Sequence, residues 1–172
     1  MIRSARPTCY AGRVKRRLAV VVCVLAVVAG CKSAPTEQRT THGPSAEELF
    51  FLQSYVTNKR EPNFDERRHW EGQLDWRISQ YLNQHPEDAN SLEVSTFKFY
   101  RRAAVGQSKE QVMILLGAPL VATTDGGEIE KLAHRYAPVI KGNATEAWAY
   151  PVGWTIFFAG SRVIDITQYL EK

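Results

Sequence analysis

The side chain of this chain best placed for covalent chemistry is the thiol of Cys31. It follows an apolar run that begins at Leu18 and ends on the small residues Ala29 and Gly30, which a signal peptidase requires beside its cut. Arg13, Lys15, Arg16 and Arg17 precede that run. A basic stretch, a short apolar stretch, small residues and a cysteine make a secretory signal that ends in a lipobox. The apolar run falls well short of the roughly 20 residues that span a bilayer, which favours a cleaved signal over a membrane anchor. Cys23 is a poor alternative lipid site because the bulky Val22 precedes it. The expectation is a bacterial lipoprotein with a signal peptide over 1–30 and the lipid on Cys31. Two or three acyl chains on one cysteine hold a protein firmly to a membrane, where a single chain holds it marginally.

The remaining reactive side chains form no catalytic pattern. His42, His69, His85 and His134 are scattered, and none makes a metal pair of the His-Glu-x-x-His kind. Asp125-Gly126-Gly127 and Gly153 build no phosphate loop, and Ser161 has no base beside it in sequence. Asp125, Glu128 and Glu130 cluster near one turn, where a solvated turn is the simpler account than an acid/base pair. Asn143-Ala144-Thr145 matches a glycosylation sequon, which carries no meaning in a bacterium. The expectation is a protein that is not an enzyme and uses no cofactor or metal. The rival is a hydrolytic site assembled from distant residues between helices and sheet.

Removal of the signal changes the charge of the chain. The whole sequence carries +4, but residues 1–30 hold six basic residues and no acidic one. The mature part then has 16 basic against 18 acidic residues, about −2, and no global basic footprint for nucleic acid. Of three cysteines only Cys31 survives cleavage, which leaves no disulfide and no thiolate metal site. A mature length of about 142 residues suits one small domain with a helical extension. Residues 31–44 are polar, contain Pro35 and Pro44, and read as a flexible tether reaching about 20 Å. Lys32 follows the lipidated cysteine where an aspartate would favour inner-membrane retention, so the outer membrane is the expected destination.

Residues 45–103 read as helical. Ser45 and Glu48 form a capping box ahead of Leu49, Phe50, Phe51, Leu52, Tyr55 and Val56. Asn63 and Glu66 cap a second helix, along which Trp70, Leu74, Ile78 and Tyr81 make a single stripe up to His85-Pro86. Ser91–Arg102 fits a third helix better than a strand. Within it, Phe97-Lys98-Phe99-Tyr100-Arg101-Arg102 sets aromatics beside basic residues, a composition suited to anionic lipid headgroups. The simpler reading buries Phe97 and one of Phe99 or Tyr100 and leaves the basic residues solvated. Trp70 and Trp76 cannot share one helical face, so one belongs to the core and the other is a candidate for partner contact.

From Val105 the grammar becomes specific. Gly106 allows a tight entry, Ser108 and Gln111 form another capping box, and Val112, Leu115 and Leu116 give a short helix its buried face. Gly117 supplies a left-handed C-cap and Pro119 prevents continuation. Val121–Thr124 reads as a strand that ends at the turn Asp125-Gly126-Gly127. Glu146–Tyr150 is a strand with Trp148 and Tyr150 on one side and Ala147 and Ala149 on the other. Trp154–Phe158 and Arg162–Thr167 form a hairpin about Ala159-Gly160-Ser161. Glu128–Thr145 has the look of an insertion with a short helix about Ile129–Arg135. The fold expected is α+β: an N-terminal helical extension, then a short helix packed on a three- to four-stranded antiparallel meander over 104–172.

Val105-Gly106-x-Ser108, Val112, Leu116-Gly117-x-Pro119, then Trp148-x-Tyr150 and the strand Thr155–Phe158 resemble the SmpA/OmlA family, the BamE-like small outer-membrane lipoproteins. The resemblance covers about 60 mature residues together with the lipobox. It implies a non-enzymatic subunit at the periplasmic face of the outer membrane, lipid-anchored, with protein partners such as the β-barrel assembly complex and a part in envelope integrity. The alternative is an adaptor or inhibitor that uses the same fold to bind protein or lipid outside that machinery, because a fold does not fix a function. Several positions depart from the family pattern. Gln107 stands where the family has methionine, Pro151-Val152-Gly153 replaces an aromatic-rich continuation, and the early tyrosine-arginine-proline stretch is missing. Trp148 and Tyr150 are expected in the core of the sheet more than at a contact surface.

Overall fold

Three helices start where their capping boxes place them. In the computed structural model, which describes residues 35–91 and 93–171, α1 spans Ala46–Asn58 behind Ser45, and α2 spans Phe64–Gln84 behind Asn63. Each cap side chain accepts from the N3 backbone amide while Glu48 or Glu66 accepts from the cap amide. Such a cap contributes about 1 kcal/mol. Pro86 ends α2 and opens the single turn α3, Pro86–Ala89. Leu74, Ile78 and Tyr81 are buried with Phe97, while Trp70 is half-buried and stacks on Phe50 with ring centroids 4.4 Å apart. Trp76 is 65% exposed, as a residue off that stripe must be.

The third helical segment is shorter than expected. Helix α4 covers only Val94–Lys98, and Arg101 then takes a left-handed φ of 47°. That reversal delivers the Arg101 carbonyl to the Ala46 amide at 2.8 Å and starts β3, Arg102–Ala104. Strand β3 pairs with β2, His42–Ser45, in a small antiparallel ribbon. Neither Phe99 nor Tyr100 enters the core; they are 70% and 71% exposed, and Phe97 alone fills the interior. The reason is the short helix: once the chain turns at Arg101, only one aromatic of the segment can face α2.

The main sheet has five strands rather than three or four. Its meander is β4 (Val121–Thr123), β5 (Glu146–Ala149), β6 (Trp154–Ala159) and β7 (Arg162–Leu170), with a two-residue hairpin at Gly160-Ser161. The fifth strand, β1 (Thr36–Thr40), comes from the stretch expected to be tether and pairs antiparallel with β7, giving the order β1-β7-β6-β5-β4. Residues 36–45 are therefore folded. Long-range pairing holds them, with Thr36 opposite Leu170 and Thr40 opposite Ile166. The signal over 1–30, Cys31 and the start of the tether lie outside the described residues.

Both faces of the sheet are covered. Helix α5, Lys109–Leu116, lies on the face carrying Trp148, Tyr150, Ile156, Phe158, Val163 and Ile166. The opposite face, with Ala147 and Phe157, is closed by α6 (Gly126–Ala133) and α7 (Ala137–Ile140) through Ile129, Ala133 and Ile140. Asp125-Gly126-Gly127 is therefore not a hairpin turn. Asp125 accepts from the Glu128 amide at 2.9 Å and caps α6, because the chain must leave the sheet to cross its back face. Residues 45–103 are no separate extension: Leu49 of α1 packs on the sheet core, and Leu115 of α5 belongs to the helical core. No helix among the described residues is long and apolar enough to cross a membrane.

Candidate functional site

The residues of the Gly106–Pro119 element serve as a clasp between α5 and the sheet. Gly106, at φ 94°, donates its amide to the Val163 carbonyl at 2.8 Å and accepts from Arg162 Nη1 at 3.0 Å. Ser108 Oγ accepts from the Gln111 amide at 3.1 Å, and the Ser108 amide donates in return to Gln111 Oε1 at 2.8 Å. Val112 is fully buried and Leu116 half-buried. Gly117 ends the helix at φ 73° and ψ −164°, which is positive φ but an extended ψ rather than the left-handed helical cap expected. Its carbonyl accepts from Tyr150 Oη at 3.0 Å. Pro119, half-exposed, follows at the entry to β4. Trp148 and Tyr150 are both buried, as a place in the sheet core requires, and burial pushes the Tyr150 hydroxyl well above its ordinary range.

Gln107 has a structural task of its own. Its buried amide accepts from the Ala104 backbone N–H at 3.0 Å and donates to the Arg102 carbonyl at 2.9 Å. It closes the end of β3, a role methionine cannot fill because a thioether offers no comparable donor.

The titratable groups are spread over separate structural tasks. His42 meets Thr41, His69 meets Gln73, His134 stacks on Tyr169 at 4.0 Å, and His85 lies 3.2 Å from Glu87. His85, Glu87 and Asp88 lie close enough together to hold a cation, but Asp88 already accepts from Tyr81 Oη at 2.5 Å and His85 stacks on the Tyr81 ring. Burial and the Asp88 bond push the Tyr81 hydroxyl up to about 12. Asp125, Glu128 and Glu130 do not act together: the first caps α6, the second pairs with Lys131 and the third with Lys141. Asn143 bonds the Val139 carbonyl, Thr145 bonds that of Phe158, and the Ser161 carbonyl accepts from the Lys109 amide. Glu146 accepts from Lys109 Nζ and Trp148 Nε1, both at 2.5 Å. Burial alone would raise its carboxyl, but those two donors outweigh burial and hold it below the ordinary value.

One polar constellation escaped the sequence. Asp165 is buried on β7, and Arg39 of β1 grips it, with Nε at 2.9 and 2.8 Å from the two carboxylate oxygens and Nη2 at 2.7 Å. An aspartate inside Val163-Ile164-Asp165-Ile166 was the available sign, since a carboxylate in an apolar strand needs a cationic partner.

The surface also carries two open grooves with aromatic residues at their edges. An open groove of about 580 Å³ is bordered by His42, Ser45, Glu47, Phe99, Tyr100 and Arg101. Its cations are already paired, Arg101 with Asp75 and Arg102 with Glu48, so its exposed chemistry is the two rings. A second groove of about 500 Å³ runs between α1, α2 and α5 past Phe50, Trp70 and Ile114. Fold and site together define a two-faced α+β domain with helices on an antiparallel sheet and open grooves on its surface. No protein-family model, curated protein or solved structure matches the chain.

Proposed function

We propose that this chain is an outer-membrane lipoprotein, held at the periplasmic face by acylated Cys31, in which residues 104–172 form a BamE-like domain. It acts as a non-catalytic accessory or scaffold subunit in β-barrel protein assembly and envelope integrity. One observation carries the reading. The positions that bear the resemblance form one connected unit, with Tyr150 bonded to Gly117 and Val112 packed in the same core as Trp148. Motif residues far apart in sequence thus serve one helix-to-sheet joint, as a shared fold demands. The test is isolation of tagged, lipidated protein from native envelopes in mild detergent. Barrel-assembly subunits should accompany it and be lost when 35–171 is removed with the anchor retained; a preparation without them refutes the assembly role.

A second reading, an adaptor or inhibitor outside that machinery, is favoured by the Phe99–Tyr100 groove, which is built mainly from residues outside the resemblance. Aromatic residues at 70% exposure with no internal packing are suited to anchor a protein partner. Phe99→Ala with Tyr100→Ala should then leave thermal stability unchanged while removing the co-isolated partner. Retention of every partner by that variant rules the groove out.

A further inference from the structure

We infer that the end of the sheet carrying the N-terminus of β1 rests on the bilayer, with Leu120 and Val152 as its apolar contacts. The inference rests on the lipoprotein reading for its anchor and on the strand register for its geometry. Val121, Ala149, Thr155, Thr167 and Arg39 lie in one row across the five strands. One step further come Leu120, Tyr150, Trp154, Gln168 and Gln38, with the Leu120 amide bonded to the Ala149 carbonyl. Beyond them lie the Pro151-Val152-Gly153 turn, Leu170 and Thr36. Leu120 is 70% exposed, Val121 52% and Val152 50%, and Pro151, Trp154 and Leu170 are half-exposed beside them. An apolar rim therefore gathers at one end of the sheet, drawn from three strands, the residue that leads into β4 and one turn.

Chain length says what covers it. Because Thr36 is already in the sheet, Cys31 is five residues from folded structure, at most about 18 Å of extended chain. A 14-residue flexible leash would allow any orientation, whereas this short one brings the β1 end of the sheet to the surface where the lipid is inserted. Residues that are apolar and exposed at that end then meet the headgroup region.

The turn carries independent support. Val152 and Gly153 have φ of 59° and 70° in the three-residue loop between Tyr150 and Trp154, positive values that favour Asn or Gly. Gly153 is obligatory, because a Cβ there would lie 1.7 Å from the Tyr169 carbonyl oxygen. Val152 is the reverse case, a β-branched residue held in a conformation it resists and pointing its side chain at solvent. Such strain is stored where a side chain is needed in place. Of the charged groups at this end, Glu37 and Arg135 are paired with one another and Glu171 is an exposed carboxylate beside Leu170, so the contact depends on apolar surface rather than on anionic lipid.

The test uses the full lipidated protein in phosphatidylcholine vesicles, with mass spectrometry first showing the acyl groups on Cys31. Acylation and signal cleavage leave no other thiol, so Leu120→Cys, Val152→Cys and Ser161→Cys each accept one spin label. Ser161 lies in the hairpin at the other end of β7, a strand of nine residues or about 30 Å. Labels at 120 and 152 should show a several-fold higher ratio of oxygen to nickel-chelate accessibility than the label at 161. Equal nickel accessibility at all three positions on acylated protein overturns the orientation. Absence of acyl groups overturns the lipoprotein reading instead.

Discussion

Replacing Arg39 with methionine should detach β1 from the sheet. The substitution keeps the aliphatic stem and removes the three contacts to Asp165, leaving that buried carboxylate with the Ile166 amide as its remaining hydrogen-bond partner. Breaking a fully buried ion pair from one side costs about 3–5 kcal/mol. Here the Asp165 side chain is 7% exposed but that of Arg39 is 45% exposed, so water solvates part of the pair and the loss falls to about 2 kcal/mol. In a domain of about 140 residues the unfolding entropy is ~0.3 kcal/mol/K, which makes this a drop of about 7 °C in Tm. Urea unfolding supplies the free energy, and hydrogen exchange supplies the location: the amides of Thr36–Thr40 should lose protection before those of β6. Pairing Arg39→Met with Asp165→Leu should restore most of the loss, since the unpaired charge is gone. A loss below about 0.5 kcal/mol, with β1 amides still protected, would refute the argument and reduce the pair to an ordinary surface contact.

Gly153→Ala should destabilise the domain severely, by more than about 3 kcal/mol, through collision with the Tyr169 backbone, whereas Gly72→Ala on the exposed side of α2, with nothing within 4 Å, should raise stability by up to about 1 kcal/mol. Thermal melting of the two variants checks both. Val152→Asn should raise stability by about 0.5–1 kcal/mol by relieving the positive φ; a lower Tm would show that the valine is stabilising where it stands. Glu146 is held below its ordinary value of 4.5, so its contribution is complete above that pH and is lost as pH falls through the lowered folded value. Glu146→Gln should therefore show a shallower loss of stability on acidification below about pH 4.5 than the parent, and parallel curves would place the acid sensitivity elsewhere.

The elements that were legible in the sequence are those whose causes lie within a few residues. Ser45 with Glu48, Asn63 with Glu66, and Ser108 with Gln111 close their boxes over three positions, and all three helices begin there. The Leu74-Ile78-Tyr81 stripe, the Gly160-Ser161 hairpin and the opposed faces of Trp148 and Ala147 are likewise local periodicities. Tertiary structure decided the rest. Thr36-Glu37-Gln38-Arg39-Thr40 has no apolar residue to mark a strand, and it becomes one because β7, some 130 positions away, offers an open edge, with Gln168 facing Gln38 and Asp165 reached diagonally by Arg39. Asp125 became a helix cap rather than a turn because the back of the sheet needed covering, and Phe99 stayed outside because Arg101 reversed the chain. Local sequence states which conformations a segment prefers, but an edge strand, a covered face and an apolar rim exist only once distant strands are in register.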